Sequence, residues 1–259
     1  MIVLVAEQAG NATNDPAVLT RFFNQAAFAG AEKMGGWPGF FRGDAAAVQV
    51  VGDLAYAAIR SGGLAIFDVR DPSAPRRLGG FYNSGDAVGV QVVDTLAYVA
   101  DGWFGLQVID VSDPAAPRRL GGFDTSGYAF GVQVVGNRAY VADFTAGLQV
   151  IDVSDPAAPR RLGGFDTDGY AQSVQVVGTL AYVADGNAGL QVIDVSDPAA
   201  PGRLGGFDTS GSAQSVQVVG TRAYVADGDA GLQVIDVSDP AAPRRLGGFD
   251  TIGDRKRHV

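Results

Sequence analysis

"GLQVIDVSDPAAPRRLGGFDTSGYAFGVQVVGNRAYVAD" occupies residues Gly105–Asp143. One period later it returns as "GLQVIDVSDPAAPRRLGGFDTDGYAQSVQVVGTLAYVAD" from Gly147. The phrase "VQVV" opens at Val48, Val90, Val132, Val174 and Val216, a constant step of 90 − 48 = 42 residues. Five copies fill residues 48–89, 90–131, 132–173, 174–215 and 216–257, and residues 1–47 stand outside the array. Periods of this length belong to solenoids or propellers, and strand content chooses between them.

Each copy reads as four short strands. "VQVV" is followed by a two-residue turn, Gly136-Asn137, Gly178-Thr179 or Gly220-Thr221, with glycine where a type II′ hairpin wants it. Copy two has Asp94-Thr95 there, which predicts a different turn type. "AYVA" is the second strand, and a Gly-bearing loop leads to the third, "LQVIDV". "SDPAAP" then breaks the ladder, because its prolines cannot donate to one. "RRLGGF" is the fourth strand. No stretch of the repeat has helical periodicity. Four antiparallel strands per period make a propeller blade, whose apolar faces must be covered by neighbours. The expected fold is all-β, a five-bladed β-propeller. Ring closure would leave no end blade uncovered. The outermost strand carries Arg76-Arg77, Arg118-Arg119, Arg160-Arg161, Gly202-Arg203 and Arg244-Arg245, charges that deter pairing with other chains.

"GLQVIDVSDPAAP", Gly105 to Pro117, resembles the LVIVD repeat family: a Gly-Leu opening, an apolar run ending in Asp-Val, then Ser-Asp-Pro and a second proline. "GLAIFDVRDPSAP" in copy one departs at Phe67 and Arg70 but keeps the frame. The resemblance implies a β-propeller, commonly of bacterial and archaeal surface or exported proteins, with no common activity. "MIVLVAEQAG" has no basic residue before its apolar run, so it does not read as a secretory leader, and it is too short to span a bilayer.

Composition narrows the function. The formal charge is −9, which argues against nucleic acid and anionic membranes as partners, and membrane insertion is not expected. There is no cysteine, which excludes disulfides and thiolate metal sites. The single histidine is His258 in the tail, so no Ser/His/Asp triad can form on the body, and neither a P-loop nor a dinucleotide fingerprint is present. No cofactor is expected. Asp101, Asp110 and Asp113 recur in nearly every copy. A residue that every blade requires usually serves the blade, so they read as turn and hairpin residues before calcium ligands.

Residues 1–47 read as a strand ("MIVLV") joining the first or last blade, a helix over 15–34 and a linker, docking on the propeller. Asp15-Pro16 starts the helix, and Leu19, Phe22, Phe23 and Ala26 form its apolar stripe. Arg42-Gly43-Asp44 spells an adhesion tripeptide, but its glycine and aspartate already belong to the repeat.

The informative positions are those that break the repeat. In the loop between strands two and three, copy two has Trp103-Phe104 and copy three has Phe144, where copy four has Gly186-Asn187-Ala188. In the loop between blades, Tyr128 and Phe130 sit opposite the Ser212 and Gln214 of a later copy, and Tyr170 partly shares the pattern. Alternate turns of an antiparallel sheet share an edge, so all six aromatics are expected on one face. They suit a protein partner or a sugar ring, or a docking site for the N-terminal helix. The expected function is a non-catalytic binding or scaffold module using this face. A multivalent carbohydrate-binding propeller is the alternative, and a calcium-dependent hydrolase in the central channel a more remote one. The chain is expected as a monomer or a blade-exchanged homo-oligomer.

Overall fold

Alternating patterning produces what the spacing requires. The structure, a computed structural model, describes residues 3–5, 43–82 and 85–251. The helix expected over 15–34 lies outside the described residues. Five sheets follow one another, each with four antiparallel strands in sequence order, and a single 3₁₀ turn, Gly228–Ala230, is the only helical element described. Blade 2 is representative, with strands Gly89–Val93, Leu96–Ala100, Leu106–Asp110 and Arg118–Phe123. Blades 1, 3, 4 and 5 begin with Ala47–Val51, Gly131–Val135, Ser173–Val177 and Ser215–Val219. Val3–Val5 adds to blade 1 as a fifth strand, parallel to Ala47–Gln49.

The first hairpin is a two-residue turn in every blade, with positive φ at Gly52, Gly136, Gly178 and Gly220. Asp94 takes the same conformation, at φ 53°, so the different turn expected in blade 2 does not form. Pairing of Val93 with Leu96 and the flanking ladders hold the register against the side chain's preference. The outer strand is bulged in every blade: Val108 pairs with Gly121 but Ile109 with Arg119. Bulges, like charges, make a sheet edge a poor template.

The core lies between blades. Tyr98, Ala100, Leu106 and Val108 of blade 2 pack against Val134, Ala139, Val141, Ile151 and Val153 of blade 3, and equivalent clusters join blades 1–2, 3–4 and 4–5. Leu64, Leu106, Leu148 and Leu190 are each wholly buried there, worth about 1.5–3 kcal/mol apiece. The innermost strands are hooked together as well. The Oε1 atoms of Gln49, Gln91, Gln133 and Gln175 accept from the backbone N–H groups of Val92, Val134, Val176 and Val218 in the following blade. These N–H groups belong to an edge strand that has no further strand to pair with. A buried donor there needs a partner, and the preceding blade's glutamine supplies it.

The outer arginines are engaged rather than free. Arg118 and Arg160 donate Nε to Asp110 and Asp152 across the third and fourth strands, each at 3.0 Å. In blades 2 to 5 the following arginine turns inward: Arg119, Arg161, Arg203 and Arg245 donate Nε to the Oε1 of Gln107, Gln149, Gln191 and Gln233, at 2.6–2.7 Å, whereas Arg77 of blade 1 donates to the Gly79 carbonyl.

Blade 5 differs from the rest. No buried cluster among the described residues joins it to blade 1. Its Leu232 is 41% exposed and Phe249 60%, against complete burial for the four equivalent leucines. Among the described residues the four interblade cores thus form an arc, with one face of blade 5 and one face of blade 1 lacking a neighbouring blade.

Candidate functional site

Loop geometry carries the aromatics onto one edge of the arc. Isolated bridges pair Arg60 with Ala87, Gly102 with Ala129, Phe144 with Ala171 and Gly186 with Ala213. Each ties the loop between strands two and three to the loop entering the next blade, so both lie on the same face. Buried aspartates anchor this edge. Asp143 accepts from Thr125 Oγ1 at 2.6 Å and from the Gly127 N–H at 2.9 Å, and Asp185 and Asp227 repeat the pattern with Thr167 and Gly169, and with Thr209 and Gly211. The Asp101 position is therefore a clamp on the incoming loop, more than the hairpin cap expected of it. Burial pushes the Asp143 carboxyl up, and that of Asp185 up to about 6, against the opposing pull of those hydrogen bonds. Asp110 and Asp113 hold turns, accepting from the N–H groups of Ser112 and Ala115. Among the described residues, no group of three or more metal-ligating side chains is placed to hold an ion.

Five of the six aromatics meet in an unbroken line. Trp103 stands edge-on to Tyr128 with centroids 5.2 Å apart, and Tyr128 meets Phe130 at 4.9 Å. Phe130 meets Phe144 at 5.4 Å, and Phe144 stacks on Tyr170 at 4.6 Å with planes 15° apart. The ridge crosses residues of blades 2 and 3 and the loop entering blade 4. Trp103 is 69% exposed, and Phe104 beside it and Tyr170 are exposed as well. Tyr128, Phe130 and Phe144 are half-buried beneath them.

A polar group closes one end. Tyr128 donates its hydroxyl to Asp86, and the same carboxylate receives Arg60 Nη1 at 3.3 Å. Burial, and then the Asp86 carboxylate, push the Tyr128 phenol up to about 12, so it keeps its proton and stays a donor. A side chain at Gly102 would sit 2.9 Å from the Tyr128 ring, so the ring needs glycine there. Phe144 holds φ at 50°, in the left-handed region, where blades 2, 4 and 5 have glycine. This strain was not legible in the sequence, although the Phe-for-Gly exchange was. The Asp86–Arg60 pair was also missed; its signal is that Asp86 stands where later copies have Tyr128 and Tyr170.

A profile of the LVIVD repeat matches residues 42–82, 84–125, 126–167, 168–209 and 210–251, almost the whole described array. The chain belongs to the LVIVD repeat family. Each matched unit starts in the loop entering a blade and ends beyond its outer strand, so one LVIVD repeat supplies one blade. No curated protein matches the chain. Among solved structures, it is similar to the computationally designed protein Ika8, with TM-score 0.64, 10% identity, and 80% of this chain and 61% of that one covered. It is also similar to the Cps50 (Swd1) β-propeller domain of Myceliophteria thermophila, with TM-score 0.64, 14% identity and coverage of 84% and 76%. A third is a functionally unknown protein of Desulfotomaculum acetoxidans, with TM-score 0.68, 13% identity and coverage of 81% and 71%. At these identities the likeness is one of fold. The LVIVD chain spans about three-fifths of the length of the designed protein.

Proposed function

We propose that the LVIVD propeller is a non-catalytic binding module that uses the aromatic ridge of blades 2 and 3 as its contact surface. The observation that carries this reading is Phe144. An aromatic residue held at positive φ costs about 1 kcal/mol or more, and the glycine at the same place in three other blades shows that the blade itself does not ask for it. Strain retained without structural need points to use. Exposed, mutually braced rings lose little side-chain freedom on binding, which is why tryptophan and tyrosine serve as anchors at protein contacts. A peptide or protein surface is the favoured partner class.

A glycan is the second reading. It is favoured by the Asp86–Arg60 pair beside Tyr128 and Trp103, a polar group next to rings on which a sugar face can stack. A displayed random-peptide library and an immobilised glycan array, each probed with the whole chain, separate the two. Peptide capture by the wild type that Trp103→Ala loses supports the first, and glycan capture with the same loss supports the second. Retention of every captured ligand by Trp103→Ala and by Phe144→Gly would remove the ridge from consideration.

A further inference from the structure

The open face of blade 5 is built as a socket for another blade. In blades 1 to 4 the glycine at this position of the outer strand touches the loop of the next blade. A Cβ at Gly79, Gly121, Gly163 or Gly205 would fall 2.3–2.5 Å from the carbonyl oxygen of Pro114, Pro156, Pro198 or Pro240. At Gly247 the same construction meets nothing within 4 Å. Leu232, Leu246 and Phe249 are exposed on this blade, and Gln217, the equivalent of the four glutamine hooks, is exposed too. Sequence does not distinguish this face from those of blades 2 to 4, where "LQVID", "RLGGF" and "VQVV" recur; only blade 1 departs, with "LAIFD". It therefore asks for what the other four receive. That is the trailing face of a blade, with its Asp-Pro-x-Ala-Pro loop.

Among the described residues, one trailing face has no neighbouring blade, that of blade 1, where Phe67 packs on a small buried cluster of Ala57, Ile59 and Ala65. Val50, Phe67 and Val69 there are half-buried, whereas their equivalents in blade 2, Val92, Ile109 and Val111, are 6%, 0% and 4% exposed. Pro72 and Ser73 stand where Pro114 and Ala115 press on Gly79. Within one chain the two faces do not share a buried cluster among the described residues. We infer that blade 5 of one copy receives blade 1 of a second copy, a head-to-tail joint that repeats the four joints inside the chain. Such a contact is heterologous, and it either closes a ring of copies or continues as a chain.

Gly247→Val tests this without disturbing the single chain. Its φ is not in the left-handed region, valine is a good strand residue, and a Cβ there meets nothing within 4 Å among the described residues. In the joint they would strike the partner's loop. Sedimentation velocity over a concentration series is expected to show wild-type mass rising above the 26.6 kDa of one chain, with Gly247→Val remaining at 26.6 kDa. The variant's circular dichroism and melting midpoint, read at a dilution where both are single chains, should be unchanged. Leu232→Lys on the same face should act alike. A wild type that stays at 26.6 kDa, or a Gly247→Val chain that assembles like the wild type, would overturn the inference. So would a monomeric wild type melting well above Gly247→Val, because the chain would then be closing on itself.

Discussion

Phe144 and Asp94 occupy two of the three kinds of position where this repeat uses positive φ, and neither is glycine. Their consequences differ. Asp94 sits in a turn that four other blades make with glycine, and its side chain has no role in the ridge. Asp94→Gly is expected to stabilise the chain by about 1 kcal/mol, read from denaturant midpoints. Phe144→Gly removes similar strain but also the ring contacts with Phe130 and Tyr170, worth about 0.5–1.5 kcal/mol each. Its stability should stay within about 1 kcal/mol of the wild type while ligand capture falls. The exchange of Phe for Gly was visible in the sequence because the three copies with glycine there serve as the control. The positive φ was not, because a residue type alone does not report the backbone forced on it by Asp143 and the bridge to Ala171.

A blade depends on links between its strands and to its neighbour. Strand order, turn positions and the outer arginine pair were all legible from one period. Which partner each arginine takes was not, because cross-strand reach depends on the register shift between Val108 and Ile109. Blade 4 supplies a natural variant: Gly202 replaces the arginine, a Cβ there would meet nothing, and Asp194 keeps only its Ser196 turn bond among the described contacts. Gly202→Arg should restore the ion pair and raise stability by about 0.5–1 kcal/mol, mostly by stiffening the strand, since exposed pairs contribute little. The aspartates also set the response to pH. Hydrogen bonds from their turn residues, Arg70 or Ser112 and Ser154, and from the neighbouring arginines hold Asp68, Asp110 and Asp152 down at about 2. Their contribution is present above the unfolded value of about 4 and is lost as pH falls toward 2. Asp185 is displaced the other way, to about 6. Between about pH 4 and 6 the folded chain binds a proton there that the unfolded chain does not, so stability falls as pH rises through that window. The melting midpoint should be highest near pH 4–5 and decline on both sides, and Asp185→Asn should flatten the upper decline.

At the scale of the molecule, the period of 42 residues was enough to read five blades and their stacking. Closure was not readable. Copy five carries the same outer-face residues as copies two to four, so the sequence does not mark its face as lacking a neighbour, and Leu232, Gly247 and Phe249 in space reveal it. The aromatic ridge is the reverse case: departures from the repeat stand out in sequence, and the fold gathers them into one line. The claim on which the functional account rests is that this line is carried by the propeller without being part of its core. The chain's own later copies provide the substitution set: Trp103→Asn, Phe104→Ala, Tyr128→Ser, Phe130→Gln and Phe144→Gly, made together. Thermal unfolding of this five-site variant should give a midpoint within a few degrees of that of the wild type. A midpoint lower by ten degrees or so, several kcal/mol for a chain of this size, would show that the rings are structural filling and contradict the account.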